Sequence, residues 1–420
     1  MLKSHLSKHA LVIPWVWSLW IALLTAELTA VFPVAGTRAR WIVEAFGPGW
    51  GFFATCLGAF SNTFDTALYP VMFLAYWDRL GVTKLGGLSR GVGGSMLVMV
   101  ALACNLRGIN MVGWVNVIFL GIVVGPFVAM ALLGIDQLSP ATWLRDAHMD
   151  QVQWIPLLVV LTWNTSGYEN VANSCMHVRS PSRTIPMAMF ITIGIATAIY
   201  TVPVAVGVAY KPNYAEWEEG YFVEVASQVG GRWLGILVVI TACFGSMGLL
   251  IAMLLCSAES FVSLGHAGLL GPQFKGKAGA SRLGLCAVAL MVVLLIMMDF
   301  TTIVTLSMTL YAAQMLGYIA ALIQLRARRS DVDGDDVAFR IPLSFAPLCA
   351  VYTVPAGICM ALIFFNDWFT LAVTGTTMAA AGGVWHAWFA RRAVPERGGG
   401  IGGEQGYGEL VELEQFGEAQ

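Results

Sequence analysis

Long apolar runs alternate with short polar joins along nearly the whole of this 420-residue chain. They fall at about 11–31, 49–77, 91–106, 111–134, 154–176, 185–210, 232–263, 282–298, 301–325, 345–365 and 367–390. A hydrocarbon core about 30 Å thick is crossed by roughly 20 helical residues. The pattern therefore predicts about eleven membrane-spanning helices. Past Arg391 the sequence turns Gly-rich and acidic (RRAVPERGGGIGGEQGYGELVELEQFGEAQ) and lacks the apolar surface that folding needs. The expected organisation is a transmembrane domain over 1–390 and a disordered cytoplasmic tail over 391–420.

Composition sharpens this reading. The chain is 58% hydrophobic and 11% charged, against roughly 25% charged in a soluble domain. That fixes the class as an all-α polytopic membrane protein, with the lipid bilayer as its first partner. The basic residues sit in joins without interleaved aromatics, which excludes nucleic acid. The eight cysteines show no CxxC or Cys/His spacing and read as small buried hydrophobes. The six histidines lack ligand spacing, so no metal is assigned. No nucleophile, base and orienting group come together and no cofactor motif occurs, so neither an enzyme nor a cofactor is expected.

Charge sets an orientation. With the first span running outside to inside, fifteen Lys and Arg fall in cytoplasmic joins, among them Arg38, Arg40, Arg326 and Arg340, and eight fall outside. The outer joins collect Asp136, Asp146, Asp150, Glu216, Glu218, Glu219 and Glu224, and an acidic face concentrates cations near it. Lys3 and Lys8 run against the scheme, since the charge rule would keep them inside.

One stretch interrupts the apolar background, WNTSGYENVANSCMHVRSPSRTIPMAMF at 163–190. Asn164, Thr165, Ser166 and Gly167 are poor helix formers, so 163–169 is predicted to break its helix at membrane depth. Four carboxylates also lie inside apolar runs: Glu27, Asp65, Glu169 and Glu259. An ionised carboxylate at the bilayer centre costs at least ~2.5 kcal/mol. No Lys or Arg lies in the core of any run, so a cationic solute or a proton is the expected partner. Glu27, close before Pro33, reads as a structural residue near a helix end. Asp65 and Tyr69 are four apart and share a helix face, and a carboxylate beside an aromatic suits an alkylammonium. Tyr311 and Tyr318, seven apart, also share a face and read as packing or cavity-wall residues.

The residues LTAELTAVFPVAG (24–36), AFGPGWGFF (45–53), DTALYPVMFLAYW (65–77), EEGYFVEVASQVGG (218–231) and LYAAQMLGYIAALIQLR (310–326), with the 163–190 segment, carry a resemblance. They resemble the amino acid-polyamine-organocation superfamily, and within it the proton-coupled polyamine symporters of plants and kinetoplastid protozoa, over about residues 11–365. The resemblance implies the fold of two inverted five-helix repeats of the LeuT-like kind, with broken helices holding the solute at midplane. It aligns the run at 11–31 with the family's second helix, so the eleven spans are expected to be family helices two to twelve, with the first helix lacking. Without that wall of the site, the chain as written is expected to transport poorly.

The resemblance makes Trp163 an aromatic gate and Glu169 an acidic site residue. The expected substrate-binding set is Trp163, Asn164, Thr165, Ser166, Gly167, Tyr168, Glu169, Asp65 and Tyr69, with Glu169, Asp65 and Glu259 as proton-coupling candidates. Where plant members carry an acidic residue this chain has Ser307, which implies a differently built polyamine preference. The expected function is proton-coupled transport of putrescine or spermidine by alternating access at the plasma membrane, with polyamine and protons as partners. An amino acid transporter of the same superfamily and a non-transporting truncated subunit are the alternatives.

The charge split generates a topological expectation. Cysteine labelling in intact cells is expected to leave Lys275 to Arg282 and Arg326 to Arg340 protected and to modify Glu216 to Glu224. Labelling of the acidic join only after permeabilisation would reverse the orientation.

Overall fold

The computed structural model describes residues 8–33, 37–79, 86–137, 154–210, 221–266, 278–329 and 339–392. Every regular element among them is helical: α1 (Lys8–Val31), α2 (Thr37–Phe46), α3 (Pro48–Arg79), α4 (Gly87–Leu106), α5 (Ile109–Gly134), α6 (Trp154–Asn164), α7 (Pro181–Tyr210), α8 (Tyr221–Gly230), α9 (Arg232–His266), α10 (Ala278–Leu295), α11 (Phe300–Arg329), α12 (Phe345–Phe364) and α13 (Trp368–Arg392). A 3-10 segment, Tyr168–His177, follows α6. Each of the eleven apolar runs has become helix, and α2 and α8 are additional short helices of 10 residues each. Of the tail predicted to be disordered over 391–420, Arg391 and Arg392 end α13 and the rest lies outside the described residues. Residues up to Ala381 form one compact unit, and a second begins at Gly382.

Six of the described helices are long and apolar enough to cross a membrane: α4, α5, α7, α9, α11 and α12. Trp15–Val31 of α1 and Arg282–Leu295 of α10 are apolar but shorter. The shortfall in the rest has physical causes. In α3 the middle of the helix is polar, with Ser61, Asn62, Thr63, Asp65 and Thr66 in succession around Phe64. In α6 the helix stops after 11 residues, where the polar segment begins. Two tight starts are capped by carboxylates: Asp299 accepts from Thr302 N at 2.9 Å, and Asp367 accepts from the Thr370 hydroxyl at 2.6 Å. These bonds hold the exposed Asp299 carboxyl below its ordinary range.

Helix α3 is the centre of the bundle, packing most heavily on α9 and α11 and also on α2, α4 and α10. Small residues make that approach possible. A Cβ at Gly58 would lie 2.0 Å from the Gln314 amide nitrogen, which instead donates to Ala54 O at 2.9 Å. One helical turn on, Ser61 and Ser307 each donate to the other's backbone carbonyl, at 3.0 and 3.1 Å. Ser307 is fully buried in this clasp, so it is committed to packing α3 against α11.

A second clasp joins α1, α11 and the lead into α12. Arg326 donates to both oxygens of Glu27, at 2.5 and 2.7 Å, and to Ile341 O at 2.8 Å and Leu343 O at 3.3 Å. Ile341 N donates to Glu27 Oε2 at 2.8 Å. Glu27 therefore has a protein partner rather than a solute or proton, in keeping with a structural role near a helix end. Removing one member of a buried pair typically costs about 3–5 kcal/mol because the other charge is left bare. Arg326→Ala is expected to lower the thermal midpoint of the detergent-solubilised protein sharply, and the double change Glu27→Leu with Arg326→Met to recover much of it. Equal loss in single and double variants would show that shape rather than charge holds the clasp.

Candidate functional site

The site is built around the end of α6. In hydrocarbon, each carbonyl freed by a broken helix needs a new donor. Three consecutive side chains add donors to the carbonyls of the last turn, beside the backbone bonds that remain there, Thr165 N to Thr162 O at 3.2 Å and Ser166 N to Trp163 O at 3.4 Å. Asn164 Nδ2 donates to Val160 O at 2.9 Å, Thr165 Oγ1 to Leu161 O at 2.6 Å, and Ser166 Oγ to Thr162 O. Each reaches the carbonyl four residues back, so the Asn-Thr-Ser run closes the helix that it terminates. Beyond the last turn, Thr165 O accepts from Ser18 Oγ of α1 at 2.9 Å, and Trp17 Nε1 donates to Ser166 Oγ at 3.2 Å. Gly167 then takes φ +97°, a left-handed conformation suited to glycine, and the chain resumes as 3-10 helix. The predicted departure from continuous helix is therefore present at Thr165 to Gly167.

Glu169 lies just past this break and is fully buried. Its Oε2 accepts from Tyr311 of α11 at 3.0 Å. Its Oε1 accepts no hydrogen bond of good geometry. Arg38, 5% exposed, approaches that oxygen to 3.9 Å, an ion pair beyond hydrogen-bonding distance. The guanidinium donates to Asn170 Oδ1 at 2.9 Å and to Ser260 Oγ at 3.0 Å. Asn62 of α3 closes the ring with longer contacts of 3.4 Å to both Asn170 and Ser260.

Asp65 stands one turn along α3 from Asn62. Tyr69 donates to its Oδ2 at 2.9 Å and Trp163 Nε1 to its Oδ1 at 2.7 Å. The Trp163 ring also meets Phe300 edge-on, with centroids 5.6 Å apart. Trp163, Asp65 and Tyr69 are thus brought together. Glu259, half-buried on α9, adjoins Ser260. Arg38, Glu259, Glu169 and Asp65 all lie near enough to Cys256 to act electrostatically on its thiol.

Other expected site residues are placed differently. Asn164 is exposed, and the hydroxyl protons of Thr165 and Ser166 are used by the helix end. Tyr168 packs with Ala22, Ala26, Cys175, Ile185 and Met189 between α1 and α7. The expectation that no cation reaches the buried carboxylates is corrected: guanidiniums arrive from the last turn of α11 and from α2, outside the cores of the runs. Arg38, Asn62, Asn170, Ser260 and the Tyr311 hydroxyl were not in the expected set. A cavity of about 300 Å³ lined by Phe73, Trp77, Leu97, Phe119, Phe244 and Met247, among others, lies elsewhere and is apolar throughout. Space and chemistry do not coincide there, and the charged cluster is the better candidate.

Comparison with known proteins bears on this arrangement. Residues 6–388 match the family described as amino acid permease. The chain is 33% identical over 377 residues to polyamine transporter PUT1 of Oryza sativa subsp. japonica, covering 89% of this chain and 70% of that one. It is 32% identical over 363 residues to polyamine transporter RMV1 of Arabidopsis thaliana, covering 84% and 72%. It is 35% identical over 324 residues to probable polyamine transporter At1g31830 of Arabidopsis thaliana, covering 76% of this chain and 64% of that relative.

The glycine at the break gives a direct test of the local geometry. A Cβ at Gly167 would meet only Asn170 Nδ2, at 3.6 Å, so there is room and only the backbone objects. Gly167→Ala is expected to cost about 1–2 kcal/mol of stability, and Gly167→Asn less, read as thermal midpoints in detergent. A neutral alanine would show that the left-handed turn is not required.

Proposed function

The chain belongs to the amino acid permease family, and from that premise we propose that it carries polyamines such as putrescine or spermidine across a membrane by proton-coupled alternating access. It is an all-α, multi-pass membrane protein. One observation carries the choice of solute: Glu169 is fully buried at the helix break with one oxygen that accepts no hydrogen bond of good geometry. An unsatisfied buried acceptor costs about 1–3 kcal/mol, and more when charged. An ammonium group supplies the missing N–H donor and the opposite charge together. Asp65 offers a second carboxylate beside the rings of Tyr69 and Trp163, a setting in which a second ammonium gains charge pairing and cation-π attraction. The names of the relatives support the same class. Between solute molecules a proton is the alternative neutraliser, and Glu169, Asp65 and Glu259 are the groups to take it. The plasma membrane is the location proposed for this activity.

A second reading has its own observation. Arg38 is a buried guanidinium one short step from the helix break, and guanidinium forks bind carboxylates well, so an amino acid is a competing solute. Ornithine, which is putrescine bearing a carboxylate, separates the two. Uptake of labelled putrescine into cells deficient in polyamine transport is expected to depend on the protein and to resist excess ornithine. Glu169→Gln keeps the size and removes the charge, and loss of a buried partnered charge costs roughly 2–5 kcal/mol, so uptake is expected to fall to background with expression unchanged. Undiminished uptake by the Gln variant would remove Glu169 from the site, and efficient displacement by ornithine would favour the amino acid reading.

A further inference from the structure

Two guanidiniums are buried among the described residues, and their surroundings differ. Arg326 is in full contact with its carboxylate, and both oxygens of Glu27 are filled. Arg38 stops 3.9 Å short of Glu169 Oε1, held there by bonds to Asn170 and Ser260, while that oxygen accepts no hydrogen bond of good geometry. A cation and a carboxylate, both almost wholly buried, thus sit beside one another with the contact unmade.

The mounting of Arg38 differs as well. It is carried by α2, whose 10 residues extend about 15 Å at 1.5 Å per residue, half of a hydrocarbon core. Helix α2 docks through one face, with Arg38, Trp41, Ile42 and Ala45 buried and Trp41 edge-on to Tyr318 at 5.1 Å. It packs on α3, on α11 and on the 3-10 segment that bears Glu169. Arg38 therefore reaches the cluster from an element that is not itself a span.

We propose that Arg38 is a tethered counter-ion of Glu169: its guanidinium closes on Oε1 when the solute leaves and yields that oxygen when an ammonium group arrives. This rests on the reading of Glu169 as a solute-binding carboxylate. The physical reason is that an empty carrier must return across the cycle, and a bare buried carboxylate opposes that step. A cation on a side chain neutralises it without a solute, which leaves the coupling proton to Asp65 or Glu259 among the three candidates. The Glu169 carboxylate then has a cationic partner in both loaded and unloaded forms, and the solute competes with Arg38 for one oxygen. Arg38 is thus a positioning and specificity-determining residue that acts through Glu169.

The competition has a kinetic signature that a structural role lacks. Net uptake requires return of the empty carrier, whereas exchange of labelled for unlabelled solute does not. In vesicles reconstituted with the full chain and putrescine as probe, Arg38→Gln is expected to lower the KM for putrescine about tenfold, equivalent to about 1.4 kcal/mol, and to slow net uptake by a similar factor. Exchange is expected to stay within about twofold of the unchanged protein, and since exchange needs a folded site it also reports folding. Arg38→Lys keeps the charge but not the two-sided fork, and is expected to restore net uptake in part. Equal loss of uptake and exchange by a folded Arg38→Gln protein, or an unchanged KM, overturns the proposal. If the Gln protein does not fold, the same ratio is read from the Lys variant, where an unchanged ratio of net uptake to exchange overturns it. Failure of the underlying reading looks different: the unchanged protein then takes up no putrescine, or Glu169→Gln takes it up normally.

Discussion

A carboxylate inside an apolar bundle must be neutralised, and the interior of this protein is organised by how that is done at three places. Glu27 has a complete solution, a two-pronged Arg326 with a backbone N–H filling the remaining acceptor site. Asp65 has a solution by hydrogen bonds, one from a tyrosine hydroxyl and one from an indole. Glu169 has half of one, a tyrosine hydroxyl on Oε2 and a guanidinium held at 3.9 Å from Oε1. The first is a fixed joint. Only the last leaves a buried acceptor open at a helix break, which is why the chemistry of the chain is placed there and not at the other two.

The break itself follows from backbone bookkeeping. A helix that stops in hydrocarbon exposes carbonyls with no water to take them. The Asn-Thr-Ser run adds three side-chain donors, each turned back by four residues, to the backbone bonds of Thr165 N and Ser166 N, and Ser18 of α1 donates to the Thr165 carbonyl. With those groups satisfied locally, the left-handed Gly167 can redirect the chain so that Glu169 and Asn170 point into the bundle, both buried. The polar residues that look from sequence like ligands thus serve first to make the break tolerable. The residues beyond it, on the 3-10 segment, place the buried Glu169 and Asn170 beside Arg38 and Tyr311.

How much of this is legible in the sequence depends on what each signal measures. The eleven helical runs are readable because apolar length is a direct statement about solvent. The break is readable because four poor helix formers sit together, and Glu169 because a charge among apolar residues is conspicuous. Arg38 is not readable by the same rule, since a basic residue in a short join is assigned to the aqueous face by the positive-inside tendency. Its signal is the spacing: Arg38, Trp41, Ile42 and Ala45 fall on one helical face, and they are the face that is buried. Tyr311 and Tyr318 are a similar case. Their spacing places them together on α11, while only the fold shows that one bonds Glu169 and the other packs on Trp41. Ser307 carries no such signal at all, because a serine that donates to a facing backbone depends on Ser61 being opposite.

The position of Arg38 connects these observations. A permanent cation placed on a spanning helix would have to be buried for the life of the protein, and its pairing would then be as fixed as that of Arg326. Placed on a 10-residue helix that packs against α3 and α11 through a single apolar face, it is buried only while that face is docked. The guanidinium is kept near Glu169 by its bonds to Asn170 and Ser260 and by the packing of Trp41, Ile42 and Ala45, while the ion pair itself, at 3.9 Å, lacks a shared hydrogen bond. Packing of this size is commensurate with the binding of a small cation, since burying one large apolar side chain is worth roughly 1.5–3 kcal/mol. A pair held that way sits within reach of displacement by a solute of the same charge, whereas the Glu27 clasp, with its direct bonds and a backbone donor, does not.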